Sequence, residues 1–214
     1  MRLLHTKSLN LVEFIEDIPR DQYANLSHTW GEDEVSFKDL TNDIGRRKKG
    51  WKKITKACEY AASREWEYIW IDTCCIDKSD PTELSLAINS MFRWYEASRV
   101  CYAYRSDVMS PSSRSRVPWF KEEGFNVFSQ SRWFRRGWTL QELLAPDVLE
   151  FLYEDWTPIA SREDMACEIQ RGTGIASDHL ANFRICSLAT KLSWAANRET
   201  TRVEDRSYSL LGLP

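Results

Sequence analysis

Nearly continuous apolar runs alternate with helical periods along most of this chain. Tyr23–Ser27, Tyr68–Ile71, Val100–Tyr104 and Val148–Tyr153 are short and almost wholly apolar. That is the pattern of core strands covered on both faces. Between them, Trp51, Ile54, Cys58 and Ala61 recur at helical spacing within Gly50–Trp66, with lysines opposite. A second helix opens with Asp80 as N-cap, Pro81 at its first position and Glu83 at its third, and Leu84, Ile88, Met91 and Tyr95 form its apolar stripe. Arg2–His5 and Leu9–Phe14 could be short edge strands, and Ser36–Leu40 a helical turn.

The pattern changes twice. Arg105–Pro118, rich in serine with Pro111, Arg114 and Arg116, reads as a flexible insertion, and Trp119–Phe134 as partly helical. From Ser161 onward only helices are expected. Ser161 with Asp164 opens one that Gly172 ends, Ser187–Asn197 is another, and Thr201 with Glu204 caps a last one closed by Gly212 and Pro214. The alternation predicts an α/β domain: an open, mostly parallel sheet over residues 1–157 with helices on both faces, and a helical extension over 158–214 packed on it.

Composition narrows the function classes. The 214 residues carry a net charge of −3, so no general attraction to nucleic acid or anionic lipid is expected. The N-terminal stretch lacks the apolar region of a signal peptide, and no run of about 18 apolar residues predicts a membrane span. Cys58, Cys74, Cys75, Cys101, Cys167 and Cys186 match no zinc spacing, and free thiols in a reducing, cytoplasmic setting are expected. Ten tryptophans are enough for one or more to serve an interaction surface.

Candidate chemistry centres on Arg136–Pro146. Gln141 and Glu142 are polar side chains set inside its apolar turn, which Pro146 terminates. If Trp138 and Leu143 pack inward, Glu142 is partly desolvated and its pKa rises; otherwise it is an ordinary glutamate on a wet helix face. In open parallel sheets ligands sit beyond the carboxyl ends of the strands. That rim would receive Ser27, His28 and Trp30 from the first core strand, Asp72, Cys74 and Asp77 from the second, and Asp107 from the third. His28 is either a strand-end structural histidine or a ligand contact. Asp72 is either a turn former or a site carboxylate. Cys74 is either a buried small hydrophobe or a nucleophile served by His28. Arg135 and Arg136 are either solvated or phosphate-binding. No spacing points to a metal, and the absence of a glycine-rich phosphate loop argues against a Rossmann or P-loop site.

Four stretches together resemble the heterokaryon-incompatibility (HET) domain of filamentous fungi: Leu26–Gly31, Trp70–Lys78, Ala87–Tyr95 and Arg136–Pro146. Ser193–Ala195, Thr200–Arg202, Glu204–Asp205 and Tyr208–Gly212 resemble that family's C-terminal motif. The resemblance implies a cytoplasmic, death-inducing effector of non-self recognition, often attached to a larger receptor whose regulatory domain would lie outside this chain. A shorter stretch, Trp138-Thr139-Leu140-Gln141-Glu142-Leu143, is similar to the Trp-Cys-x-x-Glu-Leu segment of Toll/interleukin-receptor (TIR) domains, with Thr139 in place of Cys. That similarity implies a TIR/flavodoxin-like sheet and a glutamate that cleaves NAD.

Glu142 is then the expected catalytic carboxylate. Ser27, His28, Trp30, Asp72, Cys74, Asp77, Arg135, Arg136 and Trp138 are expected around the substrate. NAD or a related nucleotide enters as substrate, with no resident cofactor. The alternative is a non-enzymatic module that self-associates or recruits a death-signalling partner.

Overall fold

Seven strands form one sheet in the order β2-β1-β4-β3-β5-β6-β7. They are β1 (Arg2–His5), β2 (Leu11–Glu13), β3 (Tyr23–His28), β4 (Tyr68–Ile71), β5 (Val100–Tyr104), β6 (Leu149–Leu152) and β7 (Pro158–Ser161). The computed structural model describes residues 1–14, 21–111 and 127–213. β3, β4, β5 and β6 are mutually parallel, whereas β1, β2 and β7 add antiparallel edges. The parallel strands lie in the spatial order second, first, third, fourth, the flavodoxin-like arrangement. The strand order reverses at β3, a switch point where a ligand crevice is expected beyond the carboxyl ends of the strands.

Both faces are covered because the β3-to-β4 and β4-to-β5 crossovers run in opposite directions along the sheet, and right-handed crossovers then use opposite faces. Leu26, Ile71, Tyr102 and Glu150 share one face by register. That face meets α2 (Trp51–Ser63), which follows the short α1 (Phe37–Thr41); Tyr60 of α2 packs edge-on against Tyr102 and donates to Glu150 at 3.0 Å. Asn25, Trp70, Cys101 and Leu149 share the other. There Trp70 packs against Trp94 and Tyr95 of α3 (Pro81–Glu96). α3 starts as its sequence dictates, with the Asp80 carboxylate accepting from the backbone N–H groups of Thr82 and Glu83. Its expected apolar stripe divides: Tyr95 is buried, but Leu84, Ile88 and Met91 are half-buried and border a cavity.

Several boundaries differ from the sequence expectation. Ser161 ends β7 and does not start a helix; its pairing with Asp164 closes a turn instead. The next helix is α5 (Ala166–Thr173), and Gly172 lies inside it. The terminator is Gly174, at φ 74°. A Cβ on Gly172 would stand 2.6 Å from the Ser129 carbonyl oxygen, so this glycine serves close approach. α6 (Ser177–Ala181) and α7 (Leu188–Ala195) follow, and α7 has Ser187 as its cap. The last helix, α8 (Asp205–Tyr208), has no side-chain cap. Thr201 therefore does not form the expected capping box and instead borders the cavity. Within the expected flexible insertion, Arg105 and Ser110 are fully buried, because Arg105 enters an aromatic cage. Residues 112–118, and 119–126 of the expected partly helical stretch, lie outside the described residues.

Gly172→Ala tests the close approach at Ser129. Helix propensity alone favours alanine by about 1 kcal/mol. Backbone overlap opposes it, and a net destabilisation of about 1–2 kcal/mol is expected, lowering the thermal midpoint by roughly 2–8 °C. An unchanged or raised midpoint by calorimetry would show that the Ser129 segment gives way.

Candidate functional site

Glu142 sits on α4 (Thr139–Leu144), a helix whose six residues are all buried. Trp138 precedes it without a side-chain cap, so its position comes from tertiary contacts. The Thr139 hydroxyl donates to the Trp133 carbonyl at 2.5 Å and accepts from Arg198 Nη1 at 2.9 Å. Arg198 Nη1 also donates to the Arg136 carbonyl at 2.9 Å. The Gly137 N–H donates to Glu199 O at 2.8 Å, and the Glu199 N–H to Arg135 O at 2.6 Å. The C-terminal segment is thus stitched to the entry of α4. A Cβ on Gly137 would lie 2.5 Å from Thr200 Cγ2, so the stitch needs glycine there.

The Glu142 carboxyl is 7% exposed and accepts a hydrogen bond from the Ser27 hydroxyl. Ser27 Oγ in turn accepts from Trp133 Nε1–H at 2.7 Å. Because the indole occupies an oxygen lone pair, the Ser27 hydrogen is left for the carboxylate. Burial pushes the Glu142 pKa up to about 7; the Ser27 hydrogen bond opposes the rise, Asp72 adds to it, and Arg136 and Arg198 oppose it. Desolvation is the dominant cause.

Glu142 opens into a cavity of about 380 Å³ beyond the carboxyl ends of β3 and β4. Trp30, Asp72, Arg136 and Trp138 also line it, so the structure gathers five of the expected residues. The apolar wall comes from Ile76 and the α3 residues Leu84, Ile88 and Met91. Lys78, Glu199, Thr200, Thr201, Arg202 and Asp205 complete the polar lining. Trp30 is 43% exposed, and its Nε1–H donates to Asp72 Oδ2 at 2.9 Å.

Five expected residues stand outside the lining. Ser27 lies behind Glu142 as its hydrogen-bond donor. His28 is buried, with Nδ1 3.9 Å from Asp72 Oδ1. Burial first, then Lys53, Arg136 and Lys78, hold its pKa well below the usual histidine value, so it is neutral. Cys74 is buried against Cys75, and that contact and burial push its thiol well above the ordinary range. A Cys74–His28 nucleophile is therefore not assembled. The Asp77 carboxylate accepts from the backbone N–H and hydroxyl of Ser79, a turn-forming role. The Arg135 side chain is exposed. Asp107, expected on the rim, accepts instead from Ser131 Oγ and the Arg132 N–H. Among the described residues no three of His, Cys, Asp and Glu gather to hold a metal ion, and no helix is long and apolar enough to cross a membrane.

Sequence reasoning missed Trp133, Lys78, Arg198 and the lining contributed by the C-terminal segment. For Lys78 a signal was present, since it directly follows the Asp72–Asp77 turn. For Arg198 none was, because one arginine in a polar tail looks solvated.

The raised Glu142 pKa has a stability consequence. The folded state disfavours the charged form, so the stabilisation is complete below the unfolded value near 4.5 and is lost as pH rises through about 7. Glu142→Gln keeps the Ser27 bond without the charge. Relative to wild type it is expected to gain about 3 kcal/mol between pH 4.5 and pH 8. Denaturant unfolding across that range checks this, and a pH-independent difference would show that Glu142 is not held neutral.

The family profile described as "Heterokaryon incompatibility protein (HET)" matches residues 23–117, which carry β3 through β5. The chain is 40% identical over 221 aligned residues to "Vegetative incompatibility protein HET-E-1" of Podospora anserina. That alignment takes in 100% of this chain and 16% of the relative, so the chain spans about a sixth of the protein it matches. No solved structure matches it. With the four sequence stretches set around a single cavity, this likeness places the chain in the heterokaryon-incompatibility family.

Proposed function

We propose that this domain is a cell-death effector of fungal non-self recognition, acting by hydrolysis of the N-glycosidic bond of NAD with Glu142 as the catalytic carboxylate. The role in heterokaryon incompatibility is supported by the family and by the relative's name. The chemistry is supported chiefly by one observation: a buried carboxylate without a salt-bridge partner among the described residues, hydrogen-bonded to Ser27 and opening into a cavity of nucleotide-accommodating size.

In the proposed reaction the bond between ribose C1′ and the nicotinamide nitrogen breaks. The electron pair leaves with nicotinamide, whose ring becomes neutral, and the ribosyl group passes through an oxocarbenium-like cation. The Glu142 carboxylate stabilises that cation. Water adds at C1′, and its proton passes to the carboxylate or to solvent. Ser27 is a positioning residue that also favours the ionised carboxylate. Trp138, half-buried at the cavity wall, stacks on the departing ring. Arg136 faces the diphosphate.

A second reading, a non-enzymatic self-associating module, is favoured by apolar exposure on the C-terminal side. Ile185 is 78% exposed, Leu188 56%, Leu192 46% and Val203 82%. The two readings are compatible if assembly activates the enzyme, with regulation supplied by the rest of a longer protein.

Nicotinamide release from NAD should fall by at least about 10²-fold in Glu142→Gln, including under crowding that forces assembly. In the wild type kcat/KM should rise with pH through about 7 and level off above it, since the ionised form works. A Glu142→Gln protein that folds, assembles and still kills cells would move the assignment to the second reading.

A further inference from the structure

Three cations crowd the carboxyl ends of β3 and β4, among the carboxylates Glu34, Asp72 and Glu142. Lys53 is paired with Glu34. Lys78 Nζ lies 3.7 Å from the centre of the Trp30 ring and 3.8 Å from Asp72 Oδ2. The Arg136 guanidinium lies 5.6 Å from the same ring and has no ion pair among the described residues. Among the described residues, neither ring nitrogen of His28, buried beneath them, finds a hydrogen-bond partner. Burial first, then these same three cations, keep it neutral.

The arrangement is built rather than incidental. Asp72 anchors the indole through Trp30 Nε1–H and holds Lys78 loosely above it, so one carboxylate braces two cavity-lining groups. Cation–π contact fixes an ammonium without neutralising it. Lys78 also occupies an indole face on which a base would otherwise stack, which makes Trp30 a platform for a cation. Lys78 and Arg136 both line the cavity that holds Glu142.

We propose that Lys78 and Arg136, braced by Trp30 and Asp72, form a phosphate subsite, and that the cavity takes ligands carrying a diphosphate in addition to a ribosyl group. This rests on reading the cavity as a nucleotide site, but not on the cleavage of NAD. The non-bridging oxygens of a nucleoside diphosphate accept charge-assisted hydrogen bonds from both side chains. A nucleoside without phosphate leaves both cations unanswered.

ADP tests this directly, because it has the diphosphate and no nicotinamide. Calorimetric titrations of ADP, adenosine and inorganic pyrophosphate without magnesium would be run on wild type, Lys78→Met, Arg136→Met and Lys78→Arg. ADP should bind more tightly than adenosine in the wild type and lose about 10- to 100-fold in affinity in either Met variant. Pyrophosphate should show the same losses, and Lys78→Arg should keep most of the affinity, which separates lost charge from lost fold. ADP held no more tightly than adenosine, or affinity unmoved by both Met substitutions, overturns the subsite. A protein that binds ADP as expected yet releases no nicotinamide would sink the hydrolase reading and leave the subsite standing. Nicotinamide release without ADP affinity would do the reverse.

Discussion

The site depends on one three-membered contact: the Trp133 indole N–H donating to Ser27 Oγ, and the Ser27 hydroxyl donating to Glu142. Each member comes from a different part of the chain, and none is in water. Trp133 and Ser27 are fully buried, so a change in either would leave a polar atom unpaired. The contact reaches further through Arg105, whose guanidinium is enclosed by the rings of Phe128, Trp133, Phe134 and Phe151 at 4.3–5.4 Å. Its Nε donates to Ser131 Oγ and its Nη2 to the Phe128 carbonyl. Burial lowers its pKa to about 9, still charged at neutral pH. A cation against the π-face of Trp133 holds the ring and strengthens its N–H as a donor.

The same logic explains why the C-terminal segment belongs to the site. α4 is six residues long and has no side-chain cap, far too short to hold itself. Its entry is fixed from outside by Arg198 and by the main-chain pairing of Arg136 with Glu199. Arg198 is buried, and burial brings its pKa down to about 10. Its Nη2 has no hydrogen-bond partner among the described residues. The tail that positions the glutamate also supplies Glu199 through Arg202 to the cavity wall.

Much of the fold was legible because it is written in local patterns. The four parallel strands are near-continuous apolar runs, and α3 carries a complete cap, so periodicity found them. β7, Pro158–Ser161, was missed because an edge strand with graded exposure has no buried run to announce it. Gly172 misled because a glycine inside a helix looks like a terminator until the Ser129 backbone is seen against it. At the site, Trp30 and Asp72 were reached by the rule that strand ends face a common crevice, and Glu142, Arg136 and Trp138 by the apolar Arg136–Pro146 turn with its polar residues. That rule also nominated His28, Cys74 and Asp77, which share the rim but turn into the core or into a local turn. The rule locates segments; only side-chain direction and packing decide which atoms reach the cavity. Trp133 and Arg198 act across more than fifty residues of chain and leave no local trace.

Glu142 is costly to the fold as a carboxylate, and the cost is informative. A glutamine at the same place could accept from Ser27 without any buried charge. No cation forms an ion pair with Glu142 among the described residues, although Arg136 and Arg198 oppose its neutralisation from a distance. A structure selected for stability alone would pair the group or neutralise it. Retaining an acid that is half-ionised near pH 7 fits a ligand that supplies the missing positive charge only when it is bound, or only as its bond breaks. In the proposed reaction the pyridinium of NAD and the oxocarbenium-like ribosyl group are charges of that kind, while the proposed Lys78–Arg136 subsite answers the opposite charge of the diphosphate.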